Sequence, residues 1–291
     1  MSGSDTSPVP GTPAPKSRMG DLKLRLLSAL VLGPAVLLLV WLGGLPFAAL
    51  VVVAGLGFLW EWLTITGTAR SAPHGILAYL VLVTAFGLQL SGLPGMGLVV
   101  VLLGAALVWG LGISAERSPA ARWAAEGVVY TGLSMLSLFA LREGSHGAVF
   151  LFYLLVVVWS TDVCAYFVGR FVGGPKLWRR VSPNKTWSGS LGGLGFAVAF
   201  AGLYAHLTGA QGVVGWMALA ALLSAASQAG DLMESALKRR FSVKDSSHLI
   251  PGHGGIMDRI DGLVAAAILA ALLGLAFGGS LMGPVSGFGL T

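Results

Sequence analysis

Apolar runs long enough to cross a bilayer recur nine times in this 291-residue chain, and that recurrence limits what it can fold into. The runs lie near 26–43, 47–66, 74–92, 95–114, 125–141, 147–168, 187–208, 213–229 and 262–282. A helix of about 20 apolar residues matches the roughly 30 Å of hydrocarbon in a membrane. Backbone in lipid must satisfy its own N–H and C=O groups, so runs of this kind are read as helices. The chain is 55% hydrophobic and 10% charged, with mean hydropathy +0.83. A soluble domain of that composition would leave too much apolar surface in water. The predicted class is therefore all-α: a polytopic integral membrane protein with about nine transmembrane helices. The 43 glycines do not argue against helices, because small residues let membrane helices approach closely.

Residues 1–20 are rich in Ser, Pro, Gly and Thr and are read as a disordered cytoplasmic leader. The first apolar run continues too far for a cleaved signal peptide and counts as the first span. Nine spans put the termini on opposite sides. With the N-terminus in the cytoplasm, 17 of the 18 Lys and Arg residues fall on the inner face and only Arg142 falls outside. One missed span would scatter those charges over both faces. Residues 21–145 are read as N-terminal transmembrane helices and 146–291 as the C-terminal transmembrane catalytic region. The lone cysteine, Cys164, sits in an apolar run and excludes a disulfide scaffold or a Cys-based zinc site.

Chemistry concentrates in the C-terminal half. Six of the twelve acids follow position 160: Asp162, Asp231, Glu234, Asp245, Asp258 and Asp261. Carboxylates near or within membrane helices are costly and usually line polar cavities. Asp162 closes an apolar run, so it reads either as a cavity acid or as an interfacial acid that hydrogen-bonds between helices. Asp231, Glu234, Ser235 and Lys238 share one helical stripe, which Gln228 extends by a turn. The stripe could present a carboxylate to a metal and an ammonium to a phosphate, or be an exposed salt-bridged face. Pro251-Gly252-His253-Gly254-Gly255 reads as a tight turn whose bare N–H groups could nest an anion. Asp258 and Asp261 share a face and, with Asp231, could hold a hard divalent cation. His253 could contact phosphate or shuttle a proton. No Gly-x-x-x-x-Gly-Lys-Ser/Thr loop or Gly-x-Gly-x-x-Gly turn is present, so a nucleotide site would be built within the membrane fold.

The stretch from Ser235 to Asp261 resembles the signature of the phosphatidate cytidylyltransferases, also called CDP-diacylglycerol synthases. Ser235, Leu237, Lys238-Arg239, Lys244-Asp245, Pro251, His253-Gly254-Gly255, Asp258-Arg259 and Asp261 meet that pattern without a mismatch. Gln228-Ala-Gly-Asp231 and Ser182-Pro-Asn-Lys185-Thr186 look like the family as well. One departure is Ser188, where many members carry Glu. The resemblance implies transfer of a cytidylyl group from CTP to phosphatidate, giving CDP-diacylglycerol and pyrophosphate in phospholipid biosynthesis. It also implies Mg²⁺, with room for a second, monovalent cation.

As metal ligands the resemblance favours Asp231 and Asp258, with Asp261 and Asp245 as second choices. Lys238, Arg239, Lys244 and Arg259 would neutralise the triphosphate or the phosphatidate head group. Ser182, Lys185 and Thr186 would contact phosphate from the other loop. His253, Gly254 and Gly255 would shape the anion nest. The expected partners are CTP, the phosphatidate lipid and the bilayer, with a homodimer and no nucleic acid. The expected location is a bacterial inner membrane, crossed many times, with the active site facing the cytoplasm. A CDP-alcohol phosphotransferase is the nearest enzymatic alternative, but Ala265-Ala266 follows Asp261-Gly262 where that family has Ala-Arg. An anion transporter is the alternative of another class, and its polar residues would be paired between two halves of the chain.

Overall fold

The computed structural model describes residues 18–116, 120–144, 146–250 and 252–289, with side chains in the first helix described from Leu30 on. Most of the expected leader, together with Lys16, Arg117 and Pro251, lies outside these residues. Among the described residues the fold is nine α-helices, a small hairpin and a closing 3-10 turn. The elements are α1 (Arg18–Leu42), α2 (Gly44–Ile65), α3 (Pro73–Leu90), α4 (Pro94–Glu116), α5 (Ala120–Arg142), α6 (Gly147–Phe171), β1 (Lys176–Trp178), β2 (Ser182–Thr186), α7 (Trp187–Leu207), α8 (Val213–Arg240) and α9 (Met257–Ala276). Eight helices, α2 to α9, are long and apolar enough to cross a membrane, and α1 adds the apolar stretch Leu30–Leu42. Large apolar side chains such as Leu45, Val53, Leu103 and Leu191 stand exposed on the outside, where lipid would cover them.

One core cluster runs from Val40 on α1 to Val285 in the closing turn. A second, of Phe58, Trp62, Ile65, Leu237, Met257 and Val264, ties α2 to α8 and α9. Two glycines set the helix spacing that matters for the site. A Cβ on Gly193 would lie 2.6 Å from the Thr161 carbonyl oxygen, so α7 rides directly on α6. A Cβ on Gly230 would lie 2.6 Å from the Asp261 carbonyl oxygen, so α8 and α9 touch backbone to backbone beside Asp231. Arg142 lies at the opposite end of α5 and closes α1: its guanidinium donates to the Val40 and Trp41 carbonyls at 2.5 and 2.8 Å.

Three details differ from the sequence reading. Helix α8 does not stop near 229 but continues to Arg240, because Gly230, Glu234 and Leu237 stay buried against its neighbours beyond that point. Helix α9 starts at Met257 rather than 262, which puts Asp258 and Asp261 inside it. The segment after α6 forms an antiparallel hairpin, with Lys176 opposite Thr186 and Trp178 opposite Ser182.

Candidate active site

The hairpin, the C-terminal ends of α2, α6 and α8, and the N-terminal ends of α7 and α9 meet at one end of the bundle. A cavity of about 560 Å³ opens there. Asp162, Tyr166 and Arg170 of α6 line it, with Lys176, Asn184, Lys185 and Thr186 of the hairpin, and Gln228 and Asp231 of α8. Under it runs a chain of buried polar contacts. Thr161 donates to Ser224 at 2.8 Å, Gln228 Nε2 reaches Ser224 Oγ at 3.4 Å, and Ser190 Oγ bonds the Gln228 amide oxygen. These bonds satisfy polar groups that would be costly alone among apolar helices.

Lys185 forms an ion pair with Asp231 Oδ2, and Ser235 Oγ donates to Asp231 Oδ1 at 3.4 Å. Asp162, Asp231 and Asp261 repel one another across this space, with Lys185 and Arg259 as counter-charges. Thr186 accepts from Gly189 N at 3.1 Å and so caps α7 while facing the cavity. Ser188, where the family often has Glu, instead bonds Thr186 and the Gly173 carbonyl. It pins the start of α7 to the loop before the hairpin. Ser182 opens β2, and Arg239 holds the hairpin to α8 by donating to the Val181 carbonyl at 3.4 Å.

Next to this cavity lies a second polar knot. Lys238, 12% exposed, sits 2.5 Å from Asp258 Oδ1 and 3.3 Å from Glu234 Oε1. Asp258 Oδ2 accepts from Ser246 Oγ at 2.7 Å, Ser246 N at 3.0 Å and Gly255 N at 2.9 Å. The carboxyl groups of Glu234 and Asp261 approach each other, and the Asp261 carboxylate also accepts from Gly262 N at 2.7 Å. Gly254 has φ +81, and a Cβ there would lie 2.8 Å from Asp258 Oδ2. His253 is half-buried in the same turn, and its N–H donates to the Ile250 carbonyl at 2.9 Å.

The glycine-rich turn is thus already holding anions of the protein's own. Gly255 N–H serves Asp258, and the next two N–H groups, Ile256 and Met257, serve Glu61 of α2 at 2.9 and 2.6 Å. Glu61 lies 195 residues before Ile256, and no motif in the sequence points to it. Asp162 is the other acid the sequence left undecided; it lines the cavity. Lys244 and Asp245 stand exposed on the loop after α8 and join neither knot among the described residues.

The chain matches the cytidylyltransferase family over residues 23–277. The phosphatidate cytidylyltransferase of Brucella suis is 42% identical over 261 residues, covering 89% of this chain and 95% of that protein. Its namesake in Haemophilus influenzae is 36% identical over 278 residues, covering 84% and 96%. That of Bacillus subtilis is 33% identical over 256 residues, covering 84% and 94%. The chain belongs to the cytidylyltransferase family. The matched region of this cytidylyltransferase contains the hairpin, both polar knots and Glu61, so the similarity is not confined to the C-terminal signature.

The donors at this cytidylyltransferase site suit a hard cation. They are carboxylate oxygens, and among the described residues no three His, Cys, Asp or Glu side chains form a ready-made cage. Mg²⁺ needs none: it commonly takes one or two carboxylates and keeps water or substrate phosphate for the rest.

Proposed function

We propose that this chain is a phosphatidate cytidylyltransferase of a bacterial inner membrane, with its N-terminus and its active-site end in the cytoplasm. One observation carries the reading. At a single end of an apolar bundle, Lys185, Asp162 and Asp231 line a cavity between helices, and beside it Lys238 is enclosed with Asp258 and Glu234. Two anionic reactants, one in water and one in lipid, meet only where cations offset their charge at such a boundary. The orientation rests on the basic residues, which gather at this end.

A phosphate oxygen of phosphatidate attacks the α-phosphorus of CTP and forms the new P–O bond. The bond from that phosphorus to the bridging oxygen breaks, and its electron pair leaves with pyrophosphate. Positioning and charge neutralisation are the main demands of such a transfer. Lys185, loosely enclosed with Asp231 at the cavity wall, is placed to bind the triphosphate. Lys238 and Arg259 offset charge on the α9 side, and Asn184 and Thr186 hold the hairpin wall. Asp231 and Asp258 would hold Mg²⁺, with Asp261 one turn along α9 from Asp258 and facing Asp231. When bound, the ion would offset charge on the phosphate oxygens.

The test is purified protein in detergent with labelled CTP and phosphatidate. Label should become lipid-extractable without any sealed vesicle, and ATP, GTP and UTP should serve poorly. No lipid-linked label from any nucleotide would reject the reading. Within it, Lys185→Met is expected to lower kcat/KM for CTP about 100-fold, the usual scale for one lost charge contact to a reacting phosphate. A change below threefold would remove Lys185 from the triphosphate site. For orientation, a cysteine placed at Lys244 in a Cys164→Ser background should react with an impermeant maleimide in inverted vesicles only. Labelling in right-side-out vesicles instead would reverse the orientation.

A further inference from the structure

Glu61 is fully buried in α2, and no part of the transfer chemistry above uses it. Its two oxygens face four donor groups, one of which, the Ser246 hydroxyl, shares its single proton with Asp258. Ser247 Oγ and Ile256 N reach Oε1 at 2.5 and 2.9 Å, and Ser246 Oγ and Met257 N reach Oε2 at 3.1 and 2.6 Å. All four donors come from the loop between α8 and α9 and the first residues of α9. A buried carboxylate without compensation is costly. Here dipoles supply the compensation, two of them amides at the N-terminal end of α9, where negative charge is favoured.

We infer that Glu61 is a positioning residue of the transfer site: through this one carboxylate the N-terminal half of the bundle sets the shape of the α8–α9 loop and the direction of Asp258. The link is short. Ser246 Oγ stands between the two acids, 3.1 Å from Glu61 Oε2 and 2.7 Å from Asp258 Oδ2. Three successive amides are divided between them, Gly255 to Asp258 and the next two to Glu61. A Cβ on Gly255 would run into both Ser246 Oγ and Glu61 Oε1, so the packing between the two carboxylates has no slack. Around Glu61, Phe58, Trp62 and Ile65 pack with Leu237 and Met257 and fix α2 against both flanks of the loop. Glu61 cannot meet substrate from its buried position and acts through Asp258.

Only a carboxylate fits this environment. Both oxygens face donors, and the amide of Gln would turn an NH₂ group toward two of them. The catalytic part of the inference rests on the transfer reading proposed above, whereas the anchoring of the loop does not.

The experiment uses the full chain in detergent, with two readouts. Glu61→Gln should lower kcat about 30-fold, within the 10–100-fold scale of lost outer-shell support, while KM for phosphatidate changes less than about twofold. Trypsin cleavage after Arg240 or Lys244 should accelerate about tenfold, because opening of a loop governs its cleavage when reclosing is fast. Glu61→Asp keeps the charge and should recover part of both losses. Ser247→Ala removes one of the four donors and should shift both readouts by about twofold to fivefold. A folded Glu61→Gln protein with kcat within twofold of the parent overturns the inference, and so does lost kcat with an unchanged cleavage rate. If Glu61→Gln does not fold, unchanged cleavage in both Glu61→Asp and Ser247→Ala overturns it instead. If the parent makes no CDP-lipid, the transfer reading fails while the cleavage rates still test the anchor.

Discussion

Asp258→Asn is expected to lower CDP-lipid formation about 1,000-fold, the upper end of what one preorganised electrostatic group supplies. The side chain keeps its size, so the loss comes from charge and from hydrogen-bond polarity. In the parent, Oδ2 accepts three bonds from Ser246 and Gly255 while Oδ1 meets Lys238 at 2.5 Å. An Asn amide must point its NH₂ group either at the Lys238 ammonium or at those three donors. Either way Lys238, 12% exposed, keeps only Glu234, at 3.3 Å, as a charged partner. Breaking one side of a buried ion pair costs roughly 3–5 kcal/mol, so thermal stability should fall as well. The two effects separate when kcat is measured on the monodisperse fraction after size-exclusion. In a double-mutant cycle, Lys238→Met should cost far less in the Asp258→Asn background than in the parent, because the two groups act together. A folded Asp258→Asn protein with more than a tenth of parental activity would remove Asp258 from the site.

Gly255→Ala should be nearly as damaging, with activity below about 1% of the parent, although it adds one methyl group and no charge. Backbone strain is not the cause, since Gly255 is not among the residues with positive φ, unlike its neighbour Gly254. The cause is space. The new Cβ would collide with Ser246 Oγ and Glu61 Oε1, both already committed to hydrogen bonds. Overpacking of this kind commonly costs about 1–3 kcal/mol, and here the displaced atoms are the ones that aim Asp258. Activity assays and melting curves should therefore diverge: a modest drop in stability beside a near-complete loss of turnover. Retained turnover would show that the turn can shift without disturbing Asp258.

Local patterns carried much of the architecture. The apolar runs placed the nine helices of the described residues, and the stripe of Asp231, Glu234, Ser235 and Lys238 was visible by spacing alone. The hydropathy limits of α8 and α9 were misplaced because charged residues in a terminal turn lower the average without ending the helix. The hairpin escaped notice because strands of three and five residues are too short to give a periodic signal. The largest gap was Glu61. The glycine turn looked like an open anion cradle, whereas two carboxylates of the protein share its amides. Asp162 stayed undecided for a similar reason, since only the packing of α6 against the hairpin and α8 shows which way it faces.

What the chain determined unaided was its helical, membrane-embedded class and the gathering of charge toward one end. Both follow from desolvation, a cost that acts residue by residue and so can be read residue by residue. What tertiary structure alone decided was the pairing: Lys185 with Asp231, Lys238 with Asp258, and Glu61 with the start of α9. Those pairings depend on how closely helices approach and which faces they turn to each other. Backbone contact at Gly230 and Gly193 sets this, across separations that no local pattern spans.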